Sequence, residues 1–183
     1  MKTLIKSAAL FFLAFTILSA QHKDYSSEPG YIDFGNLAEA ESGDRVVEVF
    51  LESNLLRIVS KISEKEDPEV AKLIGGLKLI KANVLEVTTE NEKMLHDKAK
   101  AIETQLKNKN WDMLVRVRDR HEYVNVYLKS SSDGSIIGLV VTAIDNGEAS
   151  FVNIVGNIDL NTIGKLSRKF DIPALDKINN GTN

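Results

Sequence analysis

The stretch WDMLVRVRDRHEYVNVYLKSSSDGSIIGLVVTAIDNGEASFVNIVGNI, residues 111–158, decides the fold of this chain. Its apolar residues recur at every second position, as in Val124, Val126 and Leu128, and this period is typical of strands. Turn signals near residue 119, at Asp133-Gly134 and at Asn146-Gly147 divide the stretch into four parts. The sequence therefore predicts a four-stranded antiparallel meander.

A helix is predicted immediately before this meander, because the apolar period there lies between three and four residues. Thr89 and Glu92 fit a capping box, in which two side chains bond to free backbone amides at the start of a helix. We expect the helix to run to about Lys109. Its inward positions are Leu95, Ala99, Ile102 and Leu106.

The first half of the chain mixes strands with helices. Residues 45–51 and 77–87 are rich in β-branched and apolar residues, which predicts strands. A helix capped by Asn54 is predicted between them, and a second helix starts at Asp67-Pro68 and ends at Gly75-Gly76. The apolar stripe of the first helix, which we expect to face inward, is Leu55, Ile58, Val59 and Ile62.

A last helix is predicted from about Asp159 to Pro173, with Ile163, Leu166 and Phe170 inward. The elements together predict an α+β fold, an antiparallel four-stranded meander with helices packed on one face, preceded by a mixed helix and strand half. We expect one domain over residues 31–173. Residues 21–30 are predicted to be a polar tether, and residues 174–183 a C-terminal tail.

Residues 1–20 have the pattern of a cleavable signal peptide. Lys2 and Lys6 are followed by an apolar run, residues 8–18, and by the small residues Ser19-Ala20. The alternative is a membrane anchor, but a spanning helix needs roughly 20 apolar residues and this run is shorter. We expect cleavage near Ala20 and a soluble exported protein in the periplasm or outside the cell, with no membrane anchor after cleavage.

Composition excludes several classes of function. The net charge is −3, and loss of the two lysines of the signal peptide makes it two units more negative. Partners such as nucleic acid or an anionic membrane attract proteins with a basic field, so this charge argues against both. The chain contains no cysteine, which excludes disulfides, thiol catalysis, thiolate metal sites and a lipid anchor on an N-terminal cysteine.

The sequence contains few residues in catalytic or metal-binding patterns. His22, His96 and His121 are not spaced three or four residues apart, as two histidine ligands on one helix would be. The acidic turns at Asp133-Gly134 and at residues 145–148 lack the 12-residue spacing of a calcium-binding loop. We therefore expect no metal and no cofactor. A Gly-x-Ser-x-Gly elbow is absent. His121 and Glu122 could act as acid and base, but a solvated pair in a turn is the more common case.

One face of the meander is the candidate binding surface. If its apolar residues face the helices, period-two geometry places a set of polar and aromatic residues on the open face. Arginine and tyrosine side chains can stack on or hydrogen-bond a sugar, a carboxylate or a partner protein. An ordinary solvated sheet face is the alternative. The set is Arg116, Arg118, Tyr123, Asn125, Tyr127 and Asn153.

The segments WDMLVRVRD, YVNVYLK, IIGLVVTAI and FVNIVGNIDLNTIGKL resemble the domain of unknown function 4252 family of small exported bacterial proteins. The resemblance extends over about residues 32–170. It implies an export signal, an α+β fold and no assigned activity. Many members carry a lipoprotein cysteine, which this chain lacks. The stretch NIVGNIDL, residues 153–160, is its sharpest part, and we interpret it as a tight join between a strand and a helix, with Gly156 at a close backbone approach.

Two hypotheses of function follow. The first is a non-enzymatic binding or interaction module of the bacterial envelope, whose partner is an unknown envelope protein or small ligand and not a nucleic acid. The second is a hydrolase-like or other enzyme with a site assembled only in the fold, around His121 and Arg116 with Glu122 and Arg118. A regulatory accessory factor of the envelope is a third possibility. A concave pocket with convergent polar groups is the feature that favours an enzyme.

Overall fold

We describe a computed structural model of the protein over residues 23–37, 45–120, 122–145 and 147–159. The predicted signal peptide and the predicted last helix, Asp159 apart, lie outside these residues. The elements, in chain order, are β1 (Val46–Glu52), α1 (Ser53–Ser63), α2 (Pro68–Gly76), β2 (Leu77–Glu86), α3 (Glu92–Asn108), β3 (Asp112–Arg118), β4 (Tyr123–Ser130), β5 (Ile136–Ile144) and β6 (Glu148–Ile158).

The strands form one six-stranded antiparallel sheet in the order β1-β2-β6-β5-β4-β3. The α+β class is confirmed, but the four-stranded meander is incomplete, because β2 pairs along β6 and β1 pairs along β2. The sequence identified both as strands. It could not place them, because the partner of β2 lies some 70 residues further along the chain and local patterns carry no information about such pairings.

The helices lie on both faces of the sheet, and not on one face as the sequence predicts. We name the two faces by strand β4. The tyrosine face carries Tyr123 and Tyr127, and the core on it includes the apolar stripe of α3 together with Val140 and Phe151. The valine face carries Val124 and Val126, whose core includes residues of α1 and α2. Both faces of β4 to β6 are apolar enough to be covered, which the alternation along a single strand does not reveal.

The start of α2 follows the prediction, whereas the start of α3 does not. Asp67 caps α2, with its side chain accepting a hydrogen bond from the Val70 amide at 3.1 Å. The predicted pairing of Thr89 with Glu92 is wrong, because α3 begins only at Glu92. A reciprocal pair forms one residue earlier, where the Thr88 amide donates to Asn91 Oδ1 at 2.8 Å and the Asn91 amide donates to Thr88 Oγ1 at 3.3 Å.

Gly156 makes the close backbone approach that its sequence context suggests. Its φ of +137° lies in a region that residues with a side chain rarely adopt. A Cβ placed there would lie 2.6 Å from the Gly76 carbonyl oxygen and from Leu77 Cα. The distinctive NIVG sequence is therefore explained, up to this glycine, by the contact between β6 and the junction of α2 with β2.

Residues 23–37 pack on the tyrosine face, although residues 21–30 are predicted to be a polar tether. Tyr25 and Ile32 are buried, and Tyr25 belongs to a small core with Leu79 and Val155. Gly30 crosses β5 so closely that a Cβ on Gly138 would lie 2.7 Å from Gly30 Cα. The polar composition of this segment predicts that it does not pack on the domain. That prediction is wrong because the isolated apolar side chains of Tyr25 and Ile32 are buried.

Candidate binding surface

The strand register places all six predicted site residues on the tyrosine face. Across β3 and β4, Arg116 lies opposite Asn125 and Arg118 lies opposite Tyr123. Tyr127 lies opposite Val140 of β5, which in turn lies opposite Asn153 of β6. The expectation that these residues share one face is therefore confirmed. A bulge between Met113 and Val115 places Met113 opposite Tyr127, on the tyrosine face, whereas strict alternation along β3 would place it on the same face as Val115.

The expectation that this face is open is wrong. Asn125 and Asn153 have no exposed surface and Tyr127 is only 1 % exposed, while Tyr123 is also buried. The reason is that α3 and residues 23–37 cover the face, with Tyr123, Tyr127 and the α3 stripe in one core. Only Arg116 and Arg118, on the edge strand β3, remain substantially exposed, each side chain at 40 %.

Asn153 is a structural clamp within this covered region. Its Oδ1 accepts a hydrogen bond from the Ile32 amide at 3.0 Å, and its Nδ2 donates to the carbonyls of Gly30 at 3.0 Å and Leu139 at 3.2 Å. These bonds tie the N-terminal segment to the sheet. In the sequence, the signal of such a clamp is an asparagine within a strand that is otherwise apolar, because a polar side chain buried there needs hydrogen-bond partners.

Glu103 of α3 is the centre of the exposed part of the surface. Its Oε1 contacts Arg116 Nη2 at 2.6 Å and Lys107 Nζ at 2.7 Å, and its Oε2 contacts Arg118 Nη2 at 3.1 Å and Tyr123 Oη at 3.4 Å. Burial would raise the pKa of this carboxyl. The hydrogen bond from Lys107 and the charges of Arg116, Lys107 and Arg118 outweigh burial and lower the pKa below its ordinary value.

We call Glu103, Lys107, Arg116 and Arg118 the arginine cluster. Three cations share a single carboxylate, so the cluster carries a net charge of about +2 on a chain that is acidic as a whole. Each guanidinium has five N–H donors, which leaves donors beyond those that reach Glu103. The Arg118 guanidinium also stacks on the Tyr123 ring, at 4.1 Å from its centroid.

A cleft of about 210 Å³ adjoins the arginine cluster, between the N-terminal half of α3 and the turns that follow β3 and β5. Arg118 and Tyr123 form the side of the cleft next to the cluster, and His96 packs edge-on against Tyr123 at 5.4 Å between ring centroids. Arg120 lines it as well, together with four carboxylates, which are those of Glu92, Asp119, Glu122 and Asp145. Donors of the cluster and a shallow concave surface therefore meet at Arg118.

Sequence reasoning missed Glu103 and His96 as members of this surface. The two residues lie on α3, and only the packing of that helix on the tyrosine face brings them to Arg118 and Tyr123. A glutamate with a lysine four residues later, as in Glu103 and Lys107, is a common pattern on exposed helices, so no local signal marked it.

The residues proposed for catalysis are only partly brought together. His121 lies outside the described residues. Glu122 and Arg118 line the cleft, whereas Arg116 is paired with Glu103. Within the described residues, no group of three or more histidine or acidic side chains is arranged to hold a metal ion. The described helices include none with the length and hydropathy needed to cross a membrane.

Comparison with known proteins identifies a protein family. The family model described as "Domain of unknown function (DUF4252)" matches residues 41–166, which is more than half of the chain. The matched range includes each of the strands β1 to β6, the arginine cluster and the residues that line the cleft. No curated protein and no solved structure matches the chain.

Proposed function

Because the chain belongs to the DUF4252 family, whose description assigns no activity, we propose that it is an exported, non-enzymatic binding module of the bacterial envelope whose ligand is anionic. The anionic group of the ligand, a small molecule or a group on an envelope protein, binds at the arginine cluster and not in the adjoining cleft, whose lining contains four carboxylates. The signal-peptide pattern of residues 1–20 supports export to the periplasm or beyond, in soluble form after cleavage near Ala20.

One observation carries the proposal: three cations surround one carboxylate at the only part of the predicted face that remains exposed. A carboxylate, phosphate or sulfate group can accept hydrogen bonds from the free donors of Arg116 and Arg118 without displacing Glu103. Glu103 then serves as the group that holds both guanidinium planes in place, which lowers the conformational entropy lost on binding.

The buried residues of the face have a supporting role. Tyr127 and Asn125 are buried on β4 beside β3, and Asn153 fixes the segment that covers the neighbouring strands. The Arg–Tyr surface first inferred from the sequence is thereby reduced to its edge, namely Arg116, Arg118 and the rim of Tyr123.

The experiment is a calorimetric titration with citrate and with inorganic phosphate at low ionic strength. We compare the wild type with Arg118→Gln, Glu103→Gln and the control Arg57→Gln, which removes a distant exposed cation on α1. We expect Arg118→Gln to weaken citrate binding about tenfold, because a hydrogen bond to a charged group is lost. Glu103→Gln should strengthen binding, because the added unit of net positive charge outweighs the weaker hold on the two guanidinium groups.

The control Arg57→Gln should bind as the wild type does. Equal citrate affinity for all four proteins would contradict the proposal, and would show that the arginine cluster is an ion-pair network that only stabilises the fold. Thermal denaturation of each variant establishes that the compared proteins are folded.

A further inference from the structure

Strand β3 forms one edge of the sheet, so its outer side has no partner strand among the described elements. In the turn after β3, the Asp119 amide donates to the Glu122 carbonyl at 3.0 Å. Residues of an antiparallel pair alternate between those that bond to the neighbouring strand and those whose backbone groups point away from it. Asp119 bonds toward β4, and so, two residues earlier, does Val117. Arg116 and Arg118 therefore direct their backbone N–H and C=O groups to the open edge.

The side chains of the same two arginines make this edge selective for charge. Both lie on the tyrosine face, where Arg116 and Arg118 contact Glu103 at 2.6 Å and 3.1 Å, and each side chain is 40 % exposed. Each guanidinium keeps donors that Glu103 does not use. The two arginines are two residues apart, so alternate residues of an added strand would lie opposite them on this face. Carboxylates at these alternate positions would face both guanidinium groups.

The valine face of β3 sets the requirement for the residues in between. Val115 and Val117 are partly buried and pack against the core on that face. Side chains of an added strand that lie beside them meet apolar surface, which favours apolar residues such as valine. The open edge of β3 therefore matches a strand in which acidic and apolar residues alternate.

A second copy of β3 does not meet these requirements. An antiparallel pair of β3 edges centred on Val117 would place Arg116 of each copy opposite Arg118 of the other, and like charges directly opposite each other are destabilising. Charged side chains are a common protection of edge strands against such pairing. The charge that opposes self-association at this edge is the charge that attracts an acidic strand.

We propose that the open edge of β3 binds an extended acidic segment of a partner protein by antiparallel strand addition, with carboxylates at alternate positions opposite Arg116 and Arg118. This inference rests on the proposed function, because it names the partner of the same arginine cluster. In strand addition, main-chain hydrogen bonds supply affinity and the alternating side chains supply specificity. Here the main-chain bonds are those of Arg116 and Arg118 themselves.

The test is a fluorescence anisotropy titration of the full chain with the fluorescein-labelled peptide GTEVEVTG-amide. One control peptide, GTVEEVTG-amide, has the same composition, but its adjacent glutamates point to opposite faces of a strand. The other is GTEVEVTG-amide with both glutamate nitrogens methylated, which keeps the charges and removes the two donors that would face β3. We expect the wild type to bind GTEVEVTG at least tenfold more tightly than either control peptide.

Variants of the protein test the same contact from the other side. Arg118→Gln should weaken binding of GTEVEVTG about tenfold, because a hydrogen bond to a charged group is lost. The control Arg57→Gln, on α1, should bind this peptide as the wild type does. Hydrogen exchange gives the local readout: saturation with GTEVEVTG should slow exchange of the Arg116 and Arg118 amides. The Val117 amide, which already points to β4, should not change.

Equal affinity for GTEVEVTG and GTVEEVTG would overturn the proposal, and so would unchanged exchange of the Arg116 and Arg118 amides at saturation. Citrate separates this failure from failure of the proposed function. If citrate binds with a dependence on Arg118 and the peptide does not, the arginine cluster is an anion site and strand addition is wrong. If neither citrate nor GTEVEVTG binds, the proposed function is contradicted as well.

Discussion

Replacement of Asn153 by alanine tests the internal architecture of the candidate surface. The side chain has no exposed surface and makes three hydrogen bonds, to the Ile32 amide and to the Gly30 and Leu139 carbonyls. Alanine leaves these backbone groups buried without that partner. A buried polar group that lacks a hydrogen-bond partner costs about 1–3 kcal/mol. No other side chain of β6 takes over the hydrogen bonds of the Asn153 amide.

The expected loss in free energy of unfolding for Asn153→Ala is about 3 kcal/mol, since relaxation and water entry reduce the sum of three such costs. For a chain of this size, that loss lowers the melting temperature by about 6–12 °C. The matched control is Asn157→Ala, on the same strand but exposed. We expect this control to change the free energy by less than about 0.5 kcal/mol.

Urea denaturation followed by the fluorescence of the single tryptophan, Trp111, measures both values. Trp111 is buried in the core on the tyrosine face, so its emission reports loss of the packing around Asn153. Hydrogen exchange provides a local readout, because the amide of Ile32 should exchange faster in Asn153→Ala. The reasoning is refuted if Asn153→Ala is as stable as Asn157→Ala, or if exchange at Ile32 does not change.

Three further predictions concern other parts of the structure. Chemical denaturation should show that Gly156→Ala loses about 2 kcal/mol more stability than Gly134→Ala. Both glycines have positive φ, but only Gly156 lies against backbone atoms, which belong to residues 76–78. Equal losses would contradict this explanation. Asp67→Ala should cost about 1 kcal/mol through loss of the α2 cap, whereas Glu66→Ala, which lies beside it, should cost less; equal effects would argue against the cap. The pKa of Glu103 is below its ordinary value of 4.5, so its stabilising contribution is complete above about pH 4.5 and disappears as the pH falls through the lowered pKa. The stability difference between the wild type and Glu103→Gln, about 1 kcal/mol at pH 7, should therefore shrink as the pH falls below about 4.5, and a difference that does not depend on pH would contradict this origin.

Local patterns in the sequence predict most elements of the fold. The period-two runs of residues 111–158 predict four strands, and Asp67-Pro68 predicts the start of α2, because these signals depend on neighbours in sequence. Patterns of this kind cannot say which strand lies beside β6, or which face of the sheet a helix covers. Those outcomes depend on contacts between residues that are distant in sequence. The predictions of a four-stranded sheet and of helices on one face were therefore incomplete or wrong.

The candidate site was predictable only in part, for the same reason. Strand periodicity placed Arg116, Arg118 and Tyr123 on one face, which the register confirms. It could not show that α3 covers most of that face and brings Glu103 to the two arginines. The opposite error was made for α1. Its apolar face was predicted to pack inward, as such faces normally do, but the structure shows it exposed.

Residue-resolved NMR during a titration with citrate tests the proposed function most directly. The account predicts saturable shifts of the resonances of Arg116, Arg118 and the Tyr123 amide, with smaller shifts at Glu103 and His96, and no comparable change on α1. Shifts scattered over surface lysines of α3 such as Lys93 and Lys98, or no shifts at millimolar citrate, would contradict the assignment of an anion-binding site to the arginine cluster.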